Sequence, residues 1–106
     1  GVKSSTRASV TIDGSVGKSG GVPASAGMTL MQAIAQAGGV TENANPRRVA
    51  IFRQIDGQRQ AAAFDLTAIR RGEATDPRVY PGDIIIVDGS QTKALQRQLL
   101  NSLPIR

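Results

Sequence analysis

The stretch Ile84-Ile85-Ile86-Val87 limits what this chain can fold into more than any other part of it. Four β-branched apolar residues follow one another, bounded by Tyr80-Pro81-Gly82-Asp83 before and Asp88-Gly89-Ser90 after. Successive side chains of a strand point to opposite faces, so a half-exposed strand alternates apolar with polar residues. An unbroken apolar run predicts a strand covered on both faces. Pro81 and Gly82 fit the two central positions of a type II turn, where proline presets the first φ and glycine accepts the positive second one. The chain must therefore build other elements around a central strand that starts at a tight turn.

Those elements are legible upstream. Val10 and Ile12, and later Val16, alternate with polar neighbours as in a half-buried strand, which Gly14 bends or interrupts. Residues 17–27 carry the glycines and proline of a connection, with Val22 and Pro23 returning as a short second strand. Residues 28–39 are the clearest helix. Thr29 and Gln32 have the spacing of a capping box, Leu30, Ala33, Ile34 and Ala37 share one face, and Gly38-Gly39 close the C-terminal end. Residues 47–55 alternate as a strand, Asp56-Gly57 is a strong two-residue hairpin signal, and residues 58–66 supply the returning strand. Asp65 caps a short helical turn over residues 66–72. Beyond the central strand, Leu95, Leu99 and Leu103 recur every four residues, widened by Leu100, between a cap at Ser90 and a stop at Pro104. The order predicts an α+β fold, a β-grasp whose mixed sheet packs on one main helix, with a C-terminal amphipathic helix added. Residues 1–90 form the grasp domain and residues 91–106 the helical tail.

A chain of 106 residues holds a single core, and with only Phe52, Phe64 and Tyr80 as aromatics that core is aliphatic. Histidine and cysteine are both absent, which removes the commonest general base, thiol nucleophiles, disulfides and soft metal ligands. Lys3, Lys18 and Lys93 lie in polar surroundings that would not lower an ammonium pKa. Asp13, Asp56, Asp65, Asp76, Asp83 and Asp88 each adjoin glycine, proline or a helix start, where a carboxylate serves turn or cap amides. Gly17-Lys18-Ser19 imitates the end of a phosphate loop, but Ile12 stands where that motif needs glycine. No enzyme, cofactor or metal is implied, and no stretch approaches the length of a membrane-spanning helix. The net charge of +5 comes from arginines scattered along the chain; with so few stacking aromatics, this pattern does not point to nucleic acid.

Residues 20–58 and 76–90 carry a further signal. A capped helix runs into Ala37-Gly38-Gly39; "NPRRVAIFR" follows at residues 45–53; Phe64-Asp65-Leu66 leads to "IRRGE" at residues 69–73; and "VYPGDIIIVD" spans residues 79–88. Together these resemble the soluble-ligand-binding β-grasp (SLBB) domain of bacterial outer-membrane polysaccharide export proteins, over residues 8–103. The resemblance implies a non-enzymatic module, periplasmic and associated with the outer membrane. It would belong to a longer protein that forms a homo-oligomeric ring around the path of a capsular polysaccharide or exopolysaccharide and works with an inner-membrane co-polymerase or kinase. A lipid-bearing cysteine and an export domain would lie upstream. Some members end in an amphipathic helix that crosses the outer membrane, whereas this chain has one short helix before Pro104. On this basis Asn43, Arg47, Arg48, Arg53, Arg78 and Tyr80 are the candidate contacts to saccharide or to a neighbouring subunit. The alternative is a stand-alone β-grasp adaptor that holds a small molecule or glycan without a ring.

Overall fold

The computed structural model describes residues 8–89. Five strands and two helices follow in the order β1 (Ser9–Gly14), β2 (Gly20–Pro23), α1 (Leu30–Gln36), β3 (Ala44–Ile55), β4 (Gln58–Phe64), α2 (Leu66–Arg70) and β5 (Ile84–Gly89). They form one sheet of order β2-β1-β5-β3-β4. β1 and β5 run parallel and all other neighbours antiparallel, which is the mixed sheet of a β-grasp. The amphipathic helix read at the C-terminus, with its cap at Ser90, lies outside the described residues. Among the described residues no helix is long and apolar enough to cross a membrane.

The register explains which side chains form the core. Ile12, Ile85, Ile51 and Ala62 stand in one row across four strands, and Val87, Val49 and Phe64 in the next. These residues share a face, and all but Ala62, which is exposed at the sheet margin, join Leu30, Ala33 and Ile34 of α1 and Leu66 and Ile69 of α2 in a single cluster. Ile12, Leu30, Leu66 and Ile85 are wholly enclosed. Each such side chain contributes about 1.5–3 kcal/mol by leaving water, so this one face carries the stability of the fold.

β5 is the central strand, as its apolar run predicts, but the covering differs between its faces. Ile85 and Val87 are buried while Ile84 and Ile86 are half-buried. Ile84 lies between Thr11 and Phe52, and Ile86 between Asp13 and Ala50, on the face turned away from both helices. Both helices belong to the core cluster on the opposite side, so the second face of β5 is covered only in part.

Local signals set the connections. Thr29 Oγ1 accepts from Gln32 N at 3.4 Å while Thr29 N donates to Gln32 Oε1 at 3.0 Å, completing the capping box. Asp76 Oδ1 accepts from Met31 N at 3.1 Å, tying the segment before β5 to the same helix start. Asp65 Oδ1 caps α2 through Thr67 N and Ala68 N. Asp56 and Gly57 both take positive φ, 53° and 78°, the backbone of a type I′ hairpin turn. That two-residue turn fixes the pairs Ile55 with Gln58, Gln54 with Arg59, and Arg53 with Gln60. β3 begins at Ala44, three residues earlier than the alternation suggests, because Ala44 pairs with Gly89 before a register shift that ends at Val49.

Candidate functional site

The turn before β5 is held from three sides. Asp83 N donates to Tyr80 O at 3.0 Å across Pro81 and Gly82, Gly82 N to Ser9 O at 2.8 Å, and Thr11 N to Asp83 O at 3.0 Å. Gly82 has φ 92°, the positive value that the second central position of a type II turn demands. Just upstream, Leu30 N donates to Pro77 O and Val79 N to Met28 O, so residues 77–79 run beside the start of α1. Tyr80 and Asp83 therefore have fixed positions before any side-chain contact is considered.

Phe52 faces Ile84 across the β3–β5 ladder, so Arg53 falls beside Asp83, one step further along. The two make a two-pronged ion pair. Arg53 Nε donates to Asp83 Oδ1 at 2.9 Å and Nη2 to Oδ2 at 2.8 Å, a planar fork matched to a carboxylate. Asp83 Oδ2 also accepts from Tyr80 N at 2.8 Å. The Asp83 side chain is 1% exposed and that of Arg53 35%; the pair thus has one end inside the fold and one end in water. The guanidinium carbon stands 4.7 Å from the centroid of the Tyr80 ring, and Nη2 reaches Arg78 O at 3.4 Å. The hydrogen bonds to Asp83 and its negative charge raise the Arg53 pKa above its ordinary value, against the opposing effect of burial. Arg53 is a permanent cation with its position set.

Of the six candidate residues read from the sequence, this end of the sheet brings together Arg53, Arg78 and Tyr80. Asn43, Arg47 and Arg48 lie at the other end. Ala44 is opposite Gly89 at the finish of β5, while Arg53 is beside Asp83 at its start; six strand residues separate the two places, about 20 Å. Arg47 and Arg48 are exposed within the register shift, and Arg47 N donates to Asn45 Oδ1 at 3.2 Å in a local turn. Backbone at this second end is tightly packed: a Cβ on Gly89 would stand 2.7 Å from Asn43 O and collide with Ser15.

A groove of about 310 Å³ opens at the first end, on the face turned away from the helices. Phe52 and Ile84 form its apolar floor, Gln54 and Arg59 one wall, Pro81 and Gly82 the other, and the Arg53–Asp83 pair closes its inner edge. The Arg59 guanidinium lies 6.0 Å over the Phe52 ring. On the helix side of the same strands a second depression of about 250 Å³ is more apolar, lined by Ile51, Ile55, Ala62, Phe64 and Pro77, with Arg53 again at its border. The six candidate contacts read from the sequence do not include Phe52, Gln54 and Arg59. The Asp56-Gly57 signal held the information, because a two-residue turn places Arg59 opposite Gln54 and diagonal to Phe52.

Chemically the groove offers planar cations, one amide, backbone at Gly82 without a side chain, and an apolar floor. Such a set can hold a ligand that is polar at its rim and apolar on one face. Among the described residues no three histidines, cysteines or carboxylates stand together as metal ligands would. The family model for the SLBB domain matches residues 9–62, just over half of the 106 residues. The matched stretch contains Phe52, Arg53 and Arg59 and ends before Tyr80 and Asp83. No curated protein matches the chain.

Proposed function

The chain belongs to the SLBB-domain family, and from that premise we propose that it is a non-enzymatic periplasmic module of a polysaccharide export protein, part of an oligomeric ring that contacts the exported glycan. SLBB domains are ligand-binding domains found in polysaccharide export proteins. The observation that carries the proposal is the groove at the start of β5, where an apolar floor of Phe52 and Ile84 lies beside the planar cations Arg53 and Arg59, the first of them held by the buried Asp83 carboxylate. Carbohydrate is bound by this combination, an apolar surface for the ring C–H groups and planar donors for hydroxyl or carboxylate oxygens. Arg53, with Arg78 and Tyr80 beside it, borders the saccharide site at this end of the sheet.

The two sheet edges favour a ring. β2 and β4 lie at opposite margins of the sheet, and Gln58 to Ala63 of β4 are exposed residue by residue. An edge strand offers unpaired backbone groups, and two unlike edges on opposite sides suit repeated head-to-tail contact, which closes when the rotation per subunit allows. Asn43, Arg47 and Arg48, remote from the groove, are assigned to the contact between subunits.

Light scattering on the native full-length protein and on the 106-residue chain tests the assembly. A defined oligomer of the longer form is the expected result. A monomer at high concentration in both forms contradicts the ring and leaves an adaptor that binds ligand alone.

A further inference from the structure

The geometry points to a carboxylate-bearing sugar, a uronate unit of an acidic polysaccharide, as the ligand of the groove, with Arg59 as the residue that takes its charge and Phe52 and Ile84 as the surface beneath it. This inference rests on the reading of the groove as a saccharide site and goes further by naming the ligand's chemical class and the cation that selects it.

Two arginines line the groove, and only one has its positive charge free for a ligand. Arg53 already gives both prongs of its guanidinium to Asp83, at 2.9 and 2.8 Å, and its ring partner is Tyr80. The carboxylate it holds is nearly sealed from water. A ligand that took Arg53 would strand that carboxylate in the interior, which is strongly unfavourable. Arg53 therefore closes the inner edge of the groove without adding net charge, because Asp83 cancels it.

Arg59 is placed differently. It projects from the exposed edge strand β4, and among the described residues no carboxylate pairs with it. Its contact with Phe52, at 6.0 Å, is at the outer limit for a cation over a ring and leaves the guanidinium donors open. The net positive charge of the groove thus belongs to Arg59, on an apolar floor that lowers the local dielectric and strengthens any charge-assisted bond made there. Gln54, opposite Arg59 on the neighbouring strand and lining the groove, adds an amide donor and acceptor. Gly82, with nothing within 4 Å of where a Cβ would be, keeps the other wall low enough for a sugar ring to enter. The volume, about 310 Å³, is at the small end of ligand sites and suits one or two sugar units, not a long segment. A neutral sugar would leave the Arg59 charge partly desolvated and unanswered; a uronate carboxylate matches its fork.

The test is calorimetric titration of the chain with short oligouronates (oligogalacturonate, oligoglucuronate and oligomannuronate) and with the same oligomers after carboxyl reduction, which changes the charge and little else. At least one acid form is expected to bind about tenfold or more tightly than its reduced counterpart. Arg59→Gln should remove that difference, Arg59→Lys should restore part of it, and Phe52→Leu should weaken acid and reduced forms alike. Melting temperature checks that each variant is folded, and the exposure of Arg59 makes its replacement mild. Equal binding of acid and reduced forms overturns the inference and leaves a saccharide site standing. Acid preference that survives Arg59→Gln also overturns it, since the charge is then read elsewhere. Absence of binding by every oligomer to the folded chain overturns both the inference and the saccharide site.

Discussion

Replacing Arg53 with methionine keeps most of the side-chain stem and removes the guanidinium. Asp83 then keeps Tyr80 N at 2.8 Å and loses the donors at 2.9 and 2.8 Å, with its side chain only 1% exposed. Loss of one partner from a fully buried pair costs about 3–5 kcal/mol. The Arg53 end is 35% exposed, so water enters as the guanidinium leaves, and the expected cost falls to about 2–3 kcal/mol. For a domain of this size that lowers the melting temperature by roughly 10–20 °C. Asp83→Asn leaves an amide oxygen for Tyr80 N and frees Arg53 to turn toward solvent, so about 1–2 kcal/mol is expected. The double variant no longer strands a charge, and its loss should fall short of the sum by about 1–2 kcal/mol. Urea unfolding of the four proteins measures the cycle. A cost below about 0.5 kcal/mol for Arg53→Met, the behaviour of an exposed pair, or simple addition of the two single losses, would refute the view that a buried carboxylate fixes the groove's edge.

Three further substitutions isolate single terms. Gly82→Ala meets nothing within 4 Å but keeps φ 92°, so its cost of about 1–2 kcal/mol is pure backbone strain, measurable by the same unfolding; an unchanged midpoint would contradict the type II turn. Gly89→Ala drives a methyl group toward Asn43 O at 2.7 Å and into Ser15, and the loss should reach at least about 1–3 kcal/mol; a neutral result in thermal melts would mean that the backbone at Ser15 and Asn43 gives way freely there. Ser15 Oγ is buried without a hydrogen-bond partner, so Ser15→Ala should leave stability unchanged or raise it by up to about 1 kcal/mol, and a clear loss on denaturation would show that the hydroxyl has a partner in solution.

What the sequence revealed, and what it hid, divides by distance along the chain. The capping box of Thr29 and Gln32, the Asp65 cap, the Asp56-Gly57 hairpin and the Pro81-Gly82 turn all rest on groups within three or four residues of each other, and all have their expected geometry. Arg53 and Asp83 are 30 residues apart, and their meeting depends on β3 pairing antiparallel with β5, a register no local pattern states. For the same reason Asp83 read only as a turn residue. It does hold Tyr80 N, and it also anchors Arg53. The apolar run of β5 misled in one respect: three isoleucines and a valine in a row signal a central strand, but they do not say that both helices cover the same face, leaving Ile84 and Ile86 half-buried. The six candidate contacts shared polarity and resemblance to a family, neither of which reports that Arg47 and Arg53 stand at opposite ends of the sheet.

The central claim, that the groove at the start of β5 is where this domain meets saccharide, is tested most directly by nuclear magnetic resonance. Isotope-labelled chain would be titrated with acidic and carboxyl-reduced oligosaccharides while every backbone amide is followed. The account requires the largest shifts at Phe52, Gln54, Arg59, Tyr80 and Gly82, with Asn43, Arg47 and Arg48 left nearly unmoved. Shifts concentrated at residues 43–48, or spread evenly over the sheet, would contradict it.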